Sequence, residues 1–407
     1  MNRSKHPASR ITRPAFAALA AILACAGCSQ LFPPDSRQEA TLRWNNVRAR
    51  LKFQLATESF TAGHLADAQK HLDESLTLSP RFGDAFVLQA KILLEKGETA
   101  SASEALDEAL RQGADTAETD YLSGIICQRY QKHEDALAWY RRAAEREPRS
   151  APYVVAVAET LVALDRTSEA LALVQSRLID FEQNATLRAL AGGIHMMQGE
   201  HGKAANAYRD AARIAPQDAR LQAQLGVALT LAGMYEEAKP ILESAGGMAG
   251  AEVSVLAALG RCRLALREAQ EAKVVLQRVV EAEPGDARHW ALLAQACVAS
   301  RDLLTARRAA VQAAQLDPGS RAYQLVLGYV CWQQEDHRSA IPVLEPLVGG
   351  APGDELASYL LAHCYRSVGR VEPARALVER VLSTDPGCAW ALHWSDKPPV
   401  PRRRTAL

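Results

Sequence analysis

Motifs that carry chemistry are missing from this sequence. It has no H-E-x-x-H, no G-x-S-x-G nucleophile turn, no phosphate-cradling P-loop and no G-x-G-x-x-G dinucleotide fingerprint. No enzyme class is indicated, and no cofactor is expected. Ten histidines show no metal-ligand spacing with cysteine. The one C-x-x-C is Cys25 to Cys28, inside an N-terminal apolar stretch, so the rest of the chain holds no zinc or thioredoxin-like motif. Charge of one sign is not in excess either, with 47 basic and 47 acidic side chains. Binding to nucleic acid rests on a basic surface that neutralises phosphates, so nucleic acid is excluded as a partner. The apolar run at residues 15–27 is too short to span a bilayer comfortably as a permanent anchor.

What the sequence does contain is a period of 34. Ala68, Ala102, Ala136, Ala170, Ala204, Ala238, Ala272, Ala306, Ala340 and Ala374 stand in register with no insertion between them. Twelve residues before each comes a second ladder that holds nothing larger than alanine: Ala56, Ala90, Gly124, Ala158, Gly192, Gly226, Gly260, Ala294, Gly328 and Ala362. Twelve residues after each, proline occupies seven of ten positions, from Pro80 to Pro386. Proline removes an amide donor and suits a helix boundary. Two small positions and a closing proline in 34 residues describe a pair of antiparallel helices that buries its apolar face by stacking on the next pair. The small positions mark where helices come too close for a larger side chain.

This pattern resembles the tetratricopeptide repeat family over residues 49–388, in ten units starting at 49, 83, 117, 151, 185, 219, 253, 287, 321 and 355. The resemblance implies an all-α fold, a right-handed superhelical solenoid of ten 34-residue helix-turn-helix repeats, and a binding scaffold without catalysis. Departures from the family pattern fall at its usual alanine, replaced by Ser75, Arg177, Val279, Leu347 and Val381, and these predict altered local packing. Arg177 with Glu182 makes unit four the weakest match. Glycines 63, 97, 199, 233 and 369 close the first helix of their units; Gln131, Asp165, Arg267, Arg301 and Glu335 stand there in the others, predicting turns that are strained or differently capped. The weakest seam is Ala245 to Gly250.

The N-terminus reads as an export signal. Arg3, Lys5, Arg10 and Arg13 precede the apolar run, and Ala26-Gly27-Cys28-Ser29 resembles the bacterial lipoprotein processing site, with Cys28 lipidated and Ile22-Leu23-Ala24-Cys25 a competing site. By that resemblance the serine favours the outer membrane. Removing residues 1–27 leaves four more acidic than basic groups. Residues 28–35 are then a tether. Ser36 with Glu39 has the form of a capping box, predicting a helix from about Arg37, and Trp44 and Val47 would shield the end of the stack. Residues 36–48 form this capping region, 389–396 a C-terminal cap, and 397–407 a disordered basic tail.

Cys127, Cys262, Cys297, Cys331 and Cys364 lie on first helices, where a free thiol behaves as a small hydrophobe. Cys331 and Cys364 are the nearest candidates for a disulfide, an awkward one between helix axes about 8–10 Å apart. In the family the second, fifth, ninth and twelfth residues of each unit face the concave side. That places Tyr121, Arg220, Arg261, Arg288, Leu325, Tyr329, Trp332, Tyr359, His363 and Arg366 in a groove, with a line of guanidinium groups in the middle and large aromatics at the C-terminal end. The expected function is a membrane-tethered scaffold or assembly factor of the bacterial envelope, at the outer membrane facing the periplasm. It would hold a partner envelope protein, with pilus, outer-membrane pore and exopolysaccharide export as candidate processes. A carbohydrate-polymer binding module using Tyr329, Trp332 and Tyr359, and a passive structural spacer, are the alternatives.

Overall fold

The computed structural model describes residues 34–247, 250–348 and 355–395. The lipidation site at Cys28, the signal, the tether up to residue 33 and the basic tail lie outside these residues. Among the described residues there are twenty-one helices and no strand. They fall into ten consecutive pairs: α1 Pro34–Thr61 with α2 Leu65–Leu78, α3 Gly83–Glu95 with α4 Thr99–Arg111, α5 Ala117–Arg129 with α6 His133–Arg146, and α7 Ala151–Ala163 with α8 Thr167–Arg177. The series continues with α9 Ala185–Met197 and α10 His201–Ile214, α11 Ala219–Leu231 and α12 Tyr235–Gly246, then α13 Val253–Ala265 and α14 Ala269–Ala282. It ends with α15 Ala287–Ala299 and α16 Leu303–Leu316, α17 Arg321–Gln333 and α18 His337–Val348, α19 Glu355–Ser367 and α20 Val371–Thr384, and a closing helix, α21 Ala389–Ser395.

Both small ladders sit in the core, and the reason is visible at the glycines. Every alanine of the first ladder, from Ala68 to Ala374 at 34-residue steps, is buried. In the other ladder, a Cβ built on Gly124 would lie 2.4 Å from the Tyr140 ring, one on Gly260 2.5 Å from Leu276, and one on Gly328 2.4 Å from Leu344. Each of these partners lies sixteen residues on, in the second helix of the same pair. Where the same ladder carries alanine, the residue sixteen on is leucine, valine or alanine, as in Ala56 with Leu72 and Ala294 with Ala310, all four fully buried. At each glycine of this ladder a tyrosine or leucine of the second helix is thus seated against the first.

The turns are uniform despite their varied residues. Gln131, Asp165, Arg267, Arg301 and Glu335 adopt φ of 60–63°, the left-handed conformation that Gly63, Gly97, Gly199, Gly233 and Gly369 take at their places. The closing bonds match as well: the Glu268 amide reaches back to the Arg263 carbonyl at 2.8 Å as the His64 amide does to Ser59 at 2.9 Å. Of the two outcomes expected there, the strained turn is kept and no alternative cap forms. A repeated ion pair joins neighbouring units: Lys239 with Glu268, Lys273 with Asp302 at 2.5 Å, and Arg307 with Asp336 at 2.8 Å. The acid in each heads the next second helix, and Asp302 also accepts the Thr305 amide.

Several sequence expectations are corrected. α1 begins at Pro34 and runs unbroken to Thr61, so Ser36 lies within the helix and is not its cap. Trp44 and Val47 shield nothing among the described residues, being 62% and 60% exposed. The family departures are absorbed without loss of burial at Ser75, Val279 and Leu347. Ser75 satisfies its hydroxyl by donating to the Ala49 carbonyl at 2.8 Å. Arg177 instead ends its helix, pairing with Asp180 at 3.1 Å. Unit four is also where the described residues divide into two compact bodies, one ending at Ala170 and the other starting at Leu171. No such break occurs at the Ala245 seam, where Leu242, Leu256 and Leu259 share one buried cluster.

Candidate functional site

The first helices of units six to eight carry two adjoining recesses. One, about 210 Å³, is lined by Met196, Tyr208, Arg220, Gln224, Val227 and Glu252. The next, about 300 Å³, is lined by Val227, Thr230, Arg261, Glu283, Arg288 and His289, with Ala257 and Ala258 on its wall. Val227 and Ser254 belong to both. The lining follows from register: Val227, Thr230, Ser254, Ala257, Arg261 and Arg288 stand at second, fifth, ninth or twelfth places of their units. Alanines at 257 and 258 leave the space that bulkier side chains would fill.

Electrostatically the recesses are mixed, with Arg220 and Glu252 lining one and Arg261, Arg288 and Glu283 the other. Arg220 and Arg261 are exposed. Arg288 forks onto Asp286, its Nε donating to both carboxylate oxygens at 3.1 and 3.0 Å and its Nη2 to Oδ2 at 2.6 Å. Asp286 also caps α15 by accepting the Arg288 amide at 2.8 Å. The Arg288 guanidinium beside it pulls the Asp286 carboxyl down to about 2. Glu283, Asp286 and His289 bring ligand-type atoms within 4.8 Å of one another. Both Asp286 oxygens are already engaged by Arg288, so a cation there would have to displace a guanidinium. The trio acts as a cap network beside the recess.

At the C-terminal end, Tyr329, Trp332, Tyr359 and His363 form one half-buried aromatic patch. Trp332 lies 5.8 Å from Tyr329, 6.5 Å from Tyr359 and 5.6 Å from His363, ring centre to ring centre. Its indole N–H donates to His363 Nδ1 at 3.1 Å. Burial, with His337 and Arg366 nearby, lowers the pKa of His363. Tyr359 meets Trp390 at 5.7 Å, and the Arg366 guanidinium lies 5.0 Å over Trp394. Leu325 packs on the same core, while Leu356 is exposed. Tyr121, in the other body, is held between Tyr140 and Tyr153 at 5.5 and 5.1 Å.

The structure therefore brings Arg261 and Arg288 together, sets Arg220 in the adjoining recess, and gathers the C-terminal aromatics into a self-packed patch. Sequence reasoning missed Ser254 although its second-place register named it, and missed His289, which the four-position rule does not include. Trp390 and Trp394 were read as a cap and not as members of the aromatic patch. The six described cysteines are free thiols. Burial pushes Cys262, Cys297 and Cys364 up to about 11, so they stay protonated and unreactive near neutrality. Cys364 Sγ sits 3.7 Å from His337 Nδ1.

Tetratricopeptide repeat models match residues 59–123, 229–296 and 331–392 with one form of the repeat, and residues 156–219 with another. The chain belongs to the tetratricopeptide repeat family, whose arrays are in general non-catalytic scaffolds that bind other proteins. Among solved structures it is similar to YrrB, described as a repeat protein with an unusual peptide-binding site, at 20% identity and a TM-score of 0.41 over 45% of this chain and 95% of that one. PilW, described as a type IV pilus biogenesis factor, is 18% identical with a TM-score of 0.46, over 51% of this chain and 98% of that one. A repeat protein from Parabacteroides merdae is 14% identical with a TM-score of 0.43, over 61% and 98%. Comparison with curated proteins gives no match.

Proposed function

We propose that this chain is a lipid-tethered scaffold of the bacterial cell envelope that holds an extended, acidic segment of a partner envelope protein along the first helices of units six to eight. The observation that carries the partner site is the convergence of Arg261 and Arg288 on one recess, with Arg220 rimming the next. The exposed guanidiniums of Arg220 and Arg261 suit carboxylates and carbonyls of an extended chain, because each offers a planar fork of donors, while Arg288 is held on Asp286. The apolar floor between them, from Val227 to Leu292, takes the intervening side chains. Leu356 and the outer edges of the C-terminal aromatic patch add a flanking apolar contact.

The tether is acylation of Cys28 at the outer membrane, facing the periplasm. It is supported by the basic start, the short apolar run and Ala26-Gly27-Cys28-Ser29. Tethering converts encounter in three dimensions into a search near one membrane, so the scaffold contributes position and effective concentration. Assembly of pili, outer-membrane pores or exopolysaccharide exporters is the kind of process it would serve. A carbohydrate module is the second reading, and it is less favoured because Tyr329, Trp332 and Tyr359 are tilted or edge-on to one another and do not form one flat platform for a sugar.

The test is crosslinking of the native protein in membranes, with recovery of partners compared between wild type and the Arg220→Glu, Arg261→Glu double variant. Both side chains are exposed, so folding should be unaffected and a specific partner lost. Recovery of the same partners from the double variant refutes the recess as the binding site and favours a passive spacer. A Cys28→Ala variant should lose lipid labelling and leave the membrane; retention of both refutes Cys28 as the acylated residue and moves the site to Cys25.

A further inference from the structure

α1 has two apolar stripes, on opposite faces. At about 100° per residue, Ala49, Phe53, Ala56 and Phe60 share one face. That face is packed: Ala49 and Ala56 are buried, and Phe53 meets Phe82 at 4.9 Å. Trp44, Val47 and Leu51 lie within roughly 60° of one another on the other side. They are 62%, 60% and 57% exposed. Scattered surface hydrophobes need no explanation, but three large ones aligned along one outward stripe do.

The edges of that stripe are basic. Arg43 and Arg50 flank it on one side and Arg48 on the other, all exposed. Among them Arg43 meets an acid, Glu39 at 3.2 Å. We propose that this face of α1 docks on an anionic lipid surface, with the indole and aliphatic groups below the headgroups and the guanidiniums snorkelling into the phosphates. An apolar stripe with tryptophan, bordered by arginine, is the composition of a helix that lies in a membrane interface. A second copy of the chain fits worse. Two-fold pairing along the stripe would bring six arginines together against two copies each of Glu39 and Glu58, and the excess of like charges across an interface opposes association.

The inference deepens the proposed function, because it rests in part on acylation of Cys28. From Cys28 to Pro34 is six residues, at most about 20 Å of extended chain, so an anchored α1 starts beside the headgroups. At that proximity a stripe too weak to hold a free protein on a vesicle suffices to dock a tethered one. Docking would fix which way the first helix pair faces above the membrane, where an anchor alone leaves it free to swivel.

The full chain, purified from membranes in detergent, is reconstituted into phosphatidylethanolamine and phosphatidylglycerol vesicles whose acyl chains are brominated. The difference between wild type and Trp44→Phe isolates the Trp44 emission from the other tryptophans. Docking predicts that this component is blue-shifted and quenched by bromine. Replacing Arg43, Arg48 and Arg50 with glutamine should lower the docked-to-undocked ratio about a hundredfold. Trp44 emission that stays unquenched in vesicle-bound protein overturns the proposal, as does Val47→Cys crosslinking between copies without quenching. Acyl labelling of Cys28 is read in the same sample. Label with no quenching keeps the anchor and rejects the stripe; quenching without label supports the stripe and rejects the anchor.

Discussion

Adding one methyl group at Gly260 tests the helix-pair packing directly. Its Cβ would stand 2.5 Å from Leu276 Cδ2, 2.6 Å from Cγ and 3.2 Å from Cδ1. Because Cγ itself is too close, turning the tip of the leucine cannot make room, and the helices must part. Alanine for glycine inside a helix gains about 0.5–1 kcal/mol of propensity, whereas overpacking costs about 1–3 kcal/mol. Gly260→Ala should therefore destabilise by roughly 1–2 kcal/mol net. Leu276→Ala alone leaves a cavity at a fully buried site and costs about 2–5 kcal/mol. In that background the new methyl enters vacated space, so Gly260→Ala should become neutral or stabilising, a coupling of about 1–3 kcal/mol. The next unit already carries this combination as Ala294 and Ala310, both fully buried. Repeat arrays need not unfold in one step, so hydrogen exchange at amides of α13 and α14 is the suitable assay. If Gly260→Ala gains about 1 kcal/mol in both backgrounds, the close approach is absent and the packing argument fails.

Four further outcomes are expected. Arg267→Gly and Arg301→Gly should each raise stability by about 0.5–1 kcal/mol, read as thermal midpoint, because both turns hold φ near 60°; a loss would mean these side chains make contacts that outweigh the strain. Trp332→Ala should weaken protection of α17 and α19 by about 3 kcal/mol as well as any partner contact, so groove tests there need a folding control that the Arg220 and Arg261 variants do not. His363 has a depressed pKa, so the folded state binds fewer protons than the unfolded one just below the usual histidine value; its contribution is complete above about 6.5 and is lost as pH falls through the lower folded value. Protonation of Nδ1 also removes the acceptor for Trp332, so Trp332 emission should shift as pH falls below the usual histidine value in wild type and not in His363→Phe. Asp302 and Asp286 are held near 2 by Lys273 and Arg288, which adds stability above the ordinary aspartate value that is lost on acidification toward 2. The Lys273–Asp302 pair keeps partial contact with solvent, its side chains 21% and 29% exposed, so Lys273→Met should cost about 1 kcal/mol, less in high salt.

Legibility differed by level. The 34-residue register located the helix pairs, the buried ladders and the first-helix faces, because close approach of two helices forbids side chains beyond alanine wherever it recurs. The same register named Val227, Ser254, Arg261 and Arg288 as neighbours in principle. It gave no sign that Ala257 and Ala258 hollow out a recess among them, which depends on how adjacent first helices meet. Exposure was the least legible property. Trp44 and Val47 have the spacing of a buried stripe, yet that stripe faces away from the partner helix. The C-terminal aromatics have groove positions, yet they close on one another and on Trp390.

Sequence alone determined the repeat, the helix pairing, the turn positions and the absence of catalytic motifs, since each is written in residue type at fixed spacing. Only tertiary structure decided which guanidiniums share a hollow, which aromatic rings are consumed by their neighbours, and which of α1's two apolar faces is left uncovered. The first set depends on contacts between helices a fixed number of residues apart. The second depends on side chains from different units competing for the same space, and no spacing along one chain records who fills it.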